Sequence, residues 1–154
     1  MSIETVELNE VKAMTITVAA LKDTEIGPKL GEILPAVFGH VMGNGGAPAG
    51  MPFARYDMVD DHTFDMEAGA PVAAHVAETD QIKQSTLPAG PAVKLTHLGP
   101  YENLYAAHQM VHKWLEENER EAAGLPWEVY VTDPEKEPDN TKWVTEVYYP
   151  LKPA

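Results

Sequence analysis

Apolar and polar residues alternate along several short segments of the chain, and a period of two is typical of β-strands with one buried side. Branched and aromatic residues, which favour strands, are frequent in these segments. The predicted strands are residues 4–8, 12–20, 51–59, 63–77, 81–87, 92–98, 127–132 and 142–149. The last strand would carry Trp143, Thr145, Val147 and Tyr149 on one side and Val144, Glu146 and Tyr148 on the other.

Two longer segments have apolar residues three and four positions apart, the period of a helix with one buried stripe. The first begins near Asp23-Thr24-Glu25, and its stripe is Ile26, Leu30, Ile33, Leu34, Val37, Phe38 and Val41. Pro35 lies inside this segment and removes a helical hydrogen bond, so we expect a kinked or shortened helix. The second helix is predicted over residues 101–121, and the turn at 124–126 ends it.

Glu146 is the unusual residue of the last strand, because it is a carboxylate among aromatic and branched neighbours. A carboxylate that is dry and unpaired is costly. Glu146 therefore either lies in water or meets a cation.

Composition narrows the classes of partner. The chain has 154 residues, no cysteine and a formal net charge of -13. This charge disfavours direct binding of nucleic acids and of anionic membranes, and it suits either solubility alone or a preference for cationic ligands. The lack of a long apolar run and of cysteines fits a cytoplasmic protein.

The order of elements repeats, since each half of the chain is predicted to be strand, strand, helix, strand, strand. At an offset of 79 residues, Leu8, Met14, Ile16, Glu67 and Pro71 match Leu87, Val93, Leu95, Glu146 and Pro150. We therefore predict a single domain of α+β fold built from a duplicated unit, with repeats over about 1–78 and 79–154. Two antiparallel sheets, each with one long helix, would be related by a pseudo-two-fold axis beside a central groove.

Strand alternation then divides the side chains between helix and groove. The Trp143, Val147 and Tyr149 side is the better candidate to cover the helix, so Glu146 and Tyr148 would face the groove. In the strand at 127–132, the same reasoning predicts Trp127 and Val129 towards the helix and Glu128 and Tyr130 towards the groove. Grooves between pseudo-symmetric units are frequent ligand sites.

Three motifs in the second half resemble one known family. They are His97-Leu98-Gly99-Pro100-Tyr101-Glu102-Asn103-Leu104, the run Leu125-Pro126-Trp127-Glu128-Val129-Tyr130-Val131-Thr132-Asp133-Pro134, and Thr145-Glu146-Val147-Tyr148-Tyr149-Pro150-Leu151. In this order they are similar to the GyrI-like small-molecule-binding domain, which also forms the effector-binding module of some AraC-type and MerR-type transcription regulators. We expect no DNA-binding helices in this chain, so it would be a stand-alone form.

The resemblance implies a groove that binds bulky aromatic, often cationic compounds, for multidrug-type sensing or sequestration. The family's acidic residue in the final strand corresponds to Glu146. The candidate ligand-binding residues are Glu146, Tyr148, Tyr130, Tyr101, Tyr56, Met51, Phe53, Met66, Glu67 and Trp127. No cofactor is implied. His108 and His112 have a spacing that can hold a metal, but without a third ligand we expect no metal site.

Other interpretations stay open. Some stand-alone members of the family are hydrolases that open cyclopropane rings in alkylating compounds, and Glu146, Glu67 and Tyr130 would be the catalytic residues of such an enzyme. A role with a protein partner is also open, with a separate regulator or a topoisomerase as that partner. Glu146 could instead be an ordinary salt-bridged carboxylate, and Trp127 a core residue. We expect a binding protein more than an enzyme.

Overall fold

Strands and helices follow one another along residues 2–153, the part of the chain that the computed structural model describes. The strands are β1 (Ser2–Leu8), β2 (Val11–Lys22), β3 (Phe53–Asp60), β4 (Thr63–Pro71), β5 (Ile82–Leu87), β6 (Gly90–Leu98), β7 (Trp127–Tyr130) and β8 (Val144–Pro150). The α-helices are α1 (Ile26–Gly43) and α2 (Leu104–Glu117). These strands and helices confirm the α+β class. Neither helix is both long and apolar enough to cross a bilayer.

The chain divides into two compact units, of which one consists of residues 1–9 and 89–154. Its strands are antiparallel neighbours in the order β1-β6-β8-β7. The helix α2 covers one side of this sheet, because its apolar stripe packs against the inward residues of β6 and β8. This core contains Val93, Leu95, Leu104, Ala107, Val111, Leu115, Val147, Tyr149 and Leu151.

The other unit consists of residues 10–88. Its strands are also antiparallel, in the order β3-β4-β2-β5. The helix α1 packs on β2 and β4 and buries Leu30, Ile33, Val37 and Val41. Pro35 does not shorten this helix, because α1 continues through it to Gly43. Of the two expected effects, a kink or a shortening, the shortening does not occur.

Two strands, β1 and β5, each pair with a strand from the other half of the sequence. The strand β1 pairs with β6, so it belongs to the unit that contains the second helix. The strand β5 pairs with β2 in the unit that contains the first helix. The compact units thus differ from the sequence halves 1–78 and 79–154 by the exchange of one strand each. The duplication of a unit with one sheet and one helix, and the pseudo-two-fold axis between the two copies, remain predictions.

Several element ends differ from those predicted. The helix α2 ends at Glu117, not near residue 121. The Asn118 side chain donates a hydrogen bond to the Trp114 carbonyl at 2.9 Å, and Glu119 has a positive φ of 52°, so together they form the helix end. The strand β4 ends at Pro71, where Gly69-Ala70-Pro71 predicts a break within residues 63–77, because proline cannot donate a ladder hydrogen bond.

Candidate ligand-binding face

The register of three strands places Glu146 on the side of the sheet opposite α2. Glu146 in β8 lies opposite Thr96 of β6 and Val129 of β7. Tyr148 lies opposite Lys94 and Trp127 in the same two strands. Residues that oppose each other in antiparallel strands point to the same side. We call this surface the Glu146 face, and its members are Lys94, Thr96, Trp127, Val129, Glu146 and Tyr148.

The same register corrects the predicted orientation of β7. Trp127 opposes Tyr148 and therefore belongs to the Glu146 face, although it was predicted to face the helix. Glu128 and Tyr130 oppose Val147 and Thr145, so they lie on the α2 side, although they were predicted to face the groove. The prediction was wrong by one position because alternation alone does not determine which side of β7 faces the helix, whereas its register with β8 does.

A lysine of the neighbouring strand meets the Glu146 carboxylate. The Lys94 ammonium lies 3.1 Å from Glu146 Oε2, and the two side chains are 23% and 24% exposed. The Tyr148 hydroxyl donates to Glu146 Oε1 at 3.1 Å. Lys94 also lies 4.0 Å from Glu4 Oε1 in β1. Of the two environments considered for Glu146, water or a cation, the structure shows a cation supplied by the chain itself.

Aromatic rings form the other half of the Glu146 face. The rings of Trp127 and Tyr148 are stacked, with centroids 5.6 Å apart and an interplanar angle of 15°. Trp127 is buried, whereas Tyr148 is half-buried. Burial raises the pKa of Tyr148 well above its ordinary value, and the Glu146 carboxylate adds to the effect. Tyr148 therefore keeps its proton and acts as a hydrogen-bond donor to Glu146.

Glu67, the predicted counterpart of Glu146, is held by more partners. The Arg55 guanidinium donates from Nε to Glu67 Oε1 at 2.9 Å, and its Nη2 forms an ion pair with the same oxygen at 2.7 Å. Thr15 donates to Oε2 at 2.9 Å, and Ser85 donates to the same oxygen. Burial raises the pKa of Glu67, but the hydrogen bonds from Ser85, Arg55 and Thr15 and the Arg55 charge outweigh it, so this pKa lies below its ordinary value. Both oxygens of Glu67 are thus engaged within its own unit.

The other candidates of the unit 10–88 do not share one surface. Phe53 opposes Gly69, two residues beyond Glu67, and is fully buried. Tyr56 opposes Met66, so strand alternation puts this pair on the side away from Glu67. Met66 is fully buried, whereas Met51 is exposed. Tyr56 and Met66 are therefore separated from the candidate Glu67, because adjacent residues of one strand point to opposite sides.

Tyr101 belongs to an aromatic cluster on the α2 side. Its ring centroid is 5.5 Å from that of Tyr130 and 5.0 Å from that of Trp143. Burial raises the pKa of the Tyr101 hydroxyl, and the carboxylates of Asp133 and Glu128 add to the effect. Because Tyr130 and Tyr101 pack together on this side, neither lies on the Glu146 face.

Sequence reasoning missed a hydrogen-bonded chain beneath α2. The Tyr130 hydroxyl donates to Glu128 at 2.9 Å, and Glu128 is bonded to His108 Nε2 at 2.6 Å. His108 Nδ1 and His112 Nε2 lie 2.6 Å and 3.2 Å from the Tyr149 hydroxyl. Within residues 2–153, no group of three or more histidine, cysteine or acidic side chains is arranged to hold a metal. The two histidines on one helix face were the available signal, but they were weighed only as possible metal ligands, and no hydrogen-bond partners were predicted for them.

The comparison with protein families decides the family membership. The model of the GyrI-like small-molecule-binding domain matches residues 1–152. The chain belongs to the GyrI-like family. Among curated proteins, no sequence matches significantly.

Solved structures share the GyrI-like fold over nearly the whole chain. The C-terminal domain of EcmrR is 21% identical with a TM-score of 0.84, and the alignment covers 99% of this chain and 98% of that one. In the EcmrR–DNA complex the corresponding values are 23%, 0.87, 99% and 58%, so this chain spans little more than half of that regulator.

Two further structures have lower identity. SAV2435 bound to tetraphenylphosphonium is 15% identical with a TM-score of 0.68, over 99% of this chain and 94% of that one. A hydrolase from Listeria innocua is 13% identical with a TM-score of 0.62, over 97% and 91%. At these identities the likeness to EcmrR, SAV2435 and the hydrolase shows a shared fold, and the activity of this GyrI-like chain has to be argued from its own residues.

Proposed function

We propose that the Glu146 face binds aromatic, cationic small molecules without chemical change. The observation that carries this proposal is the pairing of a half-buried carboxylate with a stacked Trp127–Tyr148 wall. A flat ring can lie against the exposed part of Tyr148, while a positive charge on the same ligand reaches Glu146. The family membership supports small-molecule binding as the role of the domain.

The attraction has two components. A cation over an aromatic ring gains about 0.5–2 kcal/mol. The carboxylate adds a less directional attraction, and this is stronger where burial reduces the contact with water. The net charge of -13 favours the approach of cations from a distance. Because few hydrogen bonds fix the ligand's identity, we expect a site that accepts several compounds.

The relatives give the proposal its chemical range. SAV2435 has been solved with tetraphenylphosphonium, which is an aromatic cation, and EcmrR carries a GyrI-like domain in a DNA complex. For this chain we propose sensing or sequestration of such cations, with a separate regulator as a protein partner for the sensing role. A topoisomerase as partner is a weaker proposal.

Calorimetric titration with tetraphenylphosphonium tests the proposal. We expect the wild-type chain to bind and Glu146→Gln to weaken binding by about tenfold, because the paired charge is lost. Glu7→Gln is the matched control, since it makes the same change in net charge on the opposite side of β1. The proposal is wrong if the wild type does not bind, or if the two variants weaken binding equally.

Hydrolysis is the second candidate, and the hydrogen bond from Tyr148 to Glu146 favours it. Tyr148 would donate a proton to one carbon of an opening cyclopropane, while Glu146 takes a proton from the water whose hydroxyl adds to the other carbon and returns it to Tyr148. Tyr130 cannot take this role with Glu146, because it lies on the α2 side. Incubation with an activated cyclopropane distinguishes the two functions: we expect no ring-opened product, and a product lost in Tyr148→Phe would establish the hydrolase.

A further inference from the structure

Lys94 is already paired with the Glu146 carboxylate, which a cationic ligand would need as its own charge partner. Its ammonium lies 3.1 Å from Glu146, in the same strand-to-strand row as Tyr148. A second cation at Glu146 would therefore be close to the ammonium of Lys94, and two like charges at such a distance repel each other. A cationic ligand can use Glu146 fully only if the Lys94 ammonium moves away.

Glu4 offers the place to which it can move. This carboxylate lies 4.0 Å from the Lys94 ammonium on the other side, and Lys94 directly opposes Glu4 in the register of β1 and β6. Glu4 is 60% exposed, whereas Glu146 is 24% exposed. The lysine side chain is flexible, so a shift of about 1 Å towards Glu4 changes its counterion without a change in the strand.

We propose that Lys94 is a built-in competitor for Glu146 that sets the charge selectivity of the Glu146 face, and that Glu4 receives its ammonium when a cationic ligand binds. This inference rests on the proposed function of that face. The row Glu4–Lys94–Glu146 across β1, β6 and β8 is then an exchange site with two carboxylates for one lysine. Neutral aromatic compounds do not displace Lys94, so their binding is independent of the exchange.

Removal of the competitor gives the first test. We expect Lys94→Met to tighten the dissociation constant for tetraphenylphosphonium about fivefold, the equivalent of one partly exposed ion pair. Binding of the neutral analogue triphenylphosphine oxide should stay within about twofold, since it gains nothing from a free carboxylate. Lys152→Met is the matched control, because Lys152 also forms an ion pair in this unit, with Glu121 at 3.0 Å.

A double-mutant comparison tests the role of Glu4. In the wild-type background, Glu4→Gln should weaken tetraphenylphosphonium binding about threefold, because the displaced ammonium loses its second partner. In the Lys94→Met background the same substitution should have little effect. Glu7→Gln, with the same charge change on the opposite side of β1, corrects both values for the general loss of negative charge.

Lysine acetylation followed by mass spectrometry examines the row without any ligand. Lys94 should be acetylated more slowly than exposed lysines, and the double variant Glu4→Gln, Glu146→Gln should increase its rate, because both carboxylates that restrain the ammonium are then removed. An unchanged rate would overturn the inference.

The binding outcomes separate this inference from the proposed function. One outcome is that tetraphenylphosphonium binding depends on Glu146 but that Lys94→Met binds it no more tightly than Lys152→Met does. This outcome overturns the inference and leaves the proposed function standing. An equal effect of Glu4→Gln with and without Lys94 overturns the role of Glu4. Absence of binding by every variant, including Lys94→Met, overturns both the function and the inference.

Discussion

Glu67 and Glu146 occupy corresponding positions in two units with the same strand order, yet their surroundings differ. Arg55 reaches Glu67 from β3 with two nitrogens, and two hydroxyls complete the shell. Glu146 has one lysine from β6 and one tyrosine hydroxyl. Arg55 lies in β3, which follows the first helix, whereas Lys94 lies in β6, which precedes the second helix. The cation therefore comes from different neighbouring strands in the two units. At the same place in a fold, one carboxylate can have both oxygens bonded to neighbouring strands, whereas another has fewer partners and can still bind a ligand.

The residue two positions further along the strand differs as well. Beyond Glu146 lies Tyr148, which stacks on Trp127. Beyond Glu67 lies Gly69, where an added Cβ would come within 1.9 Å of the Met14 carbonyl oxygen. A stacked pair like Trp127 and Tyr148 cannot form beside Glu67, because Gly69 has no ring to stack on Phe53 and the neighbouring strand leaves no space for one. This difference supports assigning the ligand to the unit that contains Glu146.

The largest expected effect is that of Gly69→Ala. The added methyl group meets backbone atoms of β2, which cannot move without disturbing the ladder, so we expect a loss of about 3 kcal/mol in the free energy of unfolding. Urea denaturation measures it. Gly31→Ala is the control, because that helical glycine has open space around it and alanine favours a helix. A mild effect of Gly69→Ala would mean that the unit of residues 10–88 can accept a side chain at this position.

The two ion pairs should differ in what they contribute to stability. Arg55→Met leaves Glu67 largely buried without its cation and should cost about 2 kcal/mol in the free energy of unfolding. Lys94→Met should cost less than about 1 kcal/mol, because its contacts with Glu146 and Glu4 are partly exposed and are easily replaced by water. Urea denaturation of both variants at pH 7 gives the comparison. Equal costs would contradict the distinction between a structural and an exchangeable carboxylate.

A smaller effect is expected in the pH dependence of stability. The pKa of Glu67 is lower in the folded state than its ordinary value of 4.5, so the unfolded state binds more protons between the two values. The stabilisation is present above about pH 4.5 and is lost as the pH falls through the lower folded pKa. Glu67→Gln should therefore be less stable than the wild type at pH 7, by about 1 kcal/mol, and the difference should shrink on acidification. Denaturation curves between pH 7 and pH 3 test this, and a constant difference would argue against it.

The sequence was sufficient to predict the elements, because alternation and helical spacing are local properties. It also identified Glu146 as a residue that requires a partner. The partner itself, Lys94, could not be predicted, because it depends on which residue of β6 lies beside Tyr148. The β7 orientation failed for the same reason: its four residues carry no alternation clear enough to fix the side.

Other parts of the site depend on contacts between distant residues. Glu128 was predicted to face the groove, but it forms a hydrogen-bonded chain with His108 and Tyr149 beneath α2. Neither helix spacing nor strand alternation relates position 108 to position 128. The exchange of β1 and β5 was equally invisible, since both strands have similar patterns and could pair within either unit.

That exchange of edge strands has a consequence for the order of folding during synthesis. The strand β1 is made first, but its partner β6 begins only at Gly90. Until then the unit of residues 10–88 can be completed, because β5 precedes β6, while β1 has no strand of its own unit to pair with. Long-range pairing of this kind is slow. The row that contains Glu4 and Lys94 therefore cannot form until residues from both ends of the chain have been made.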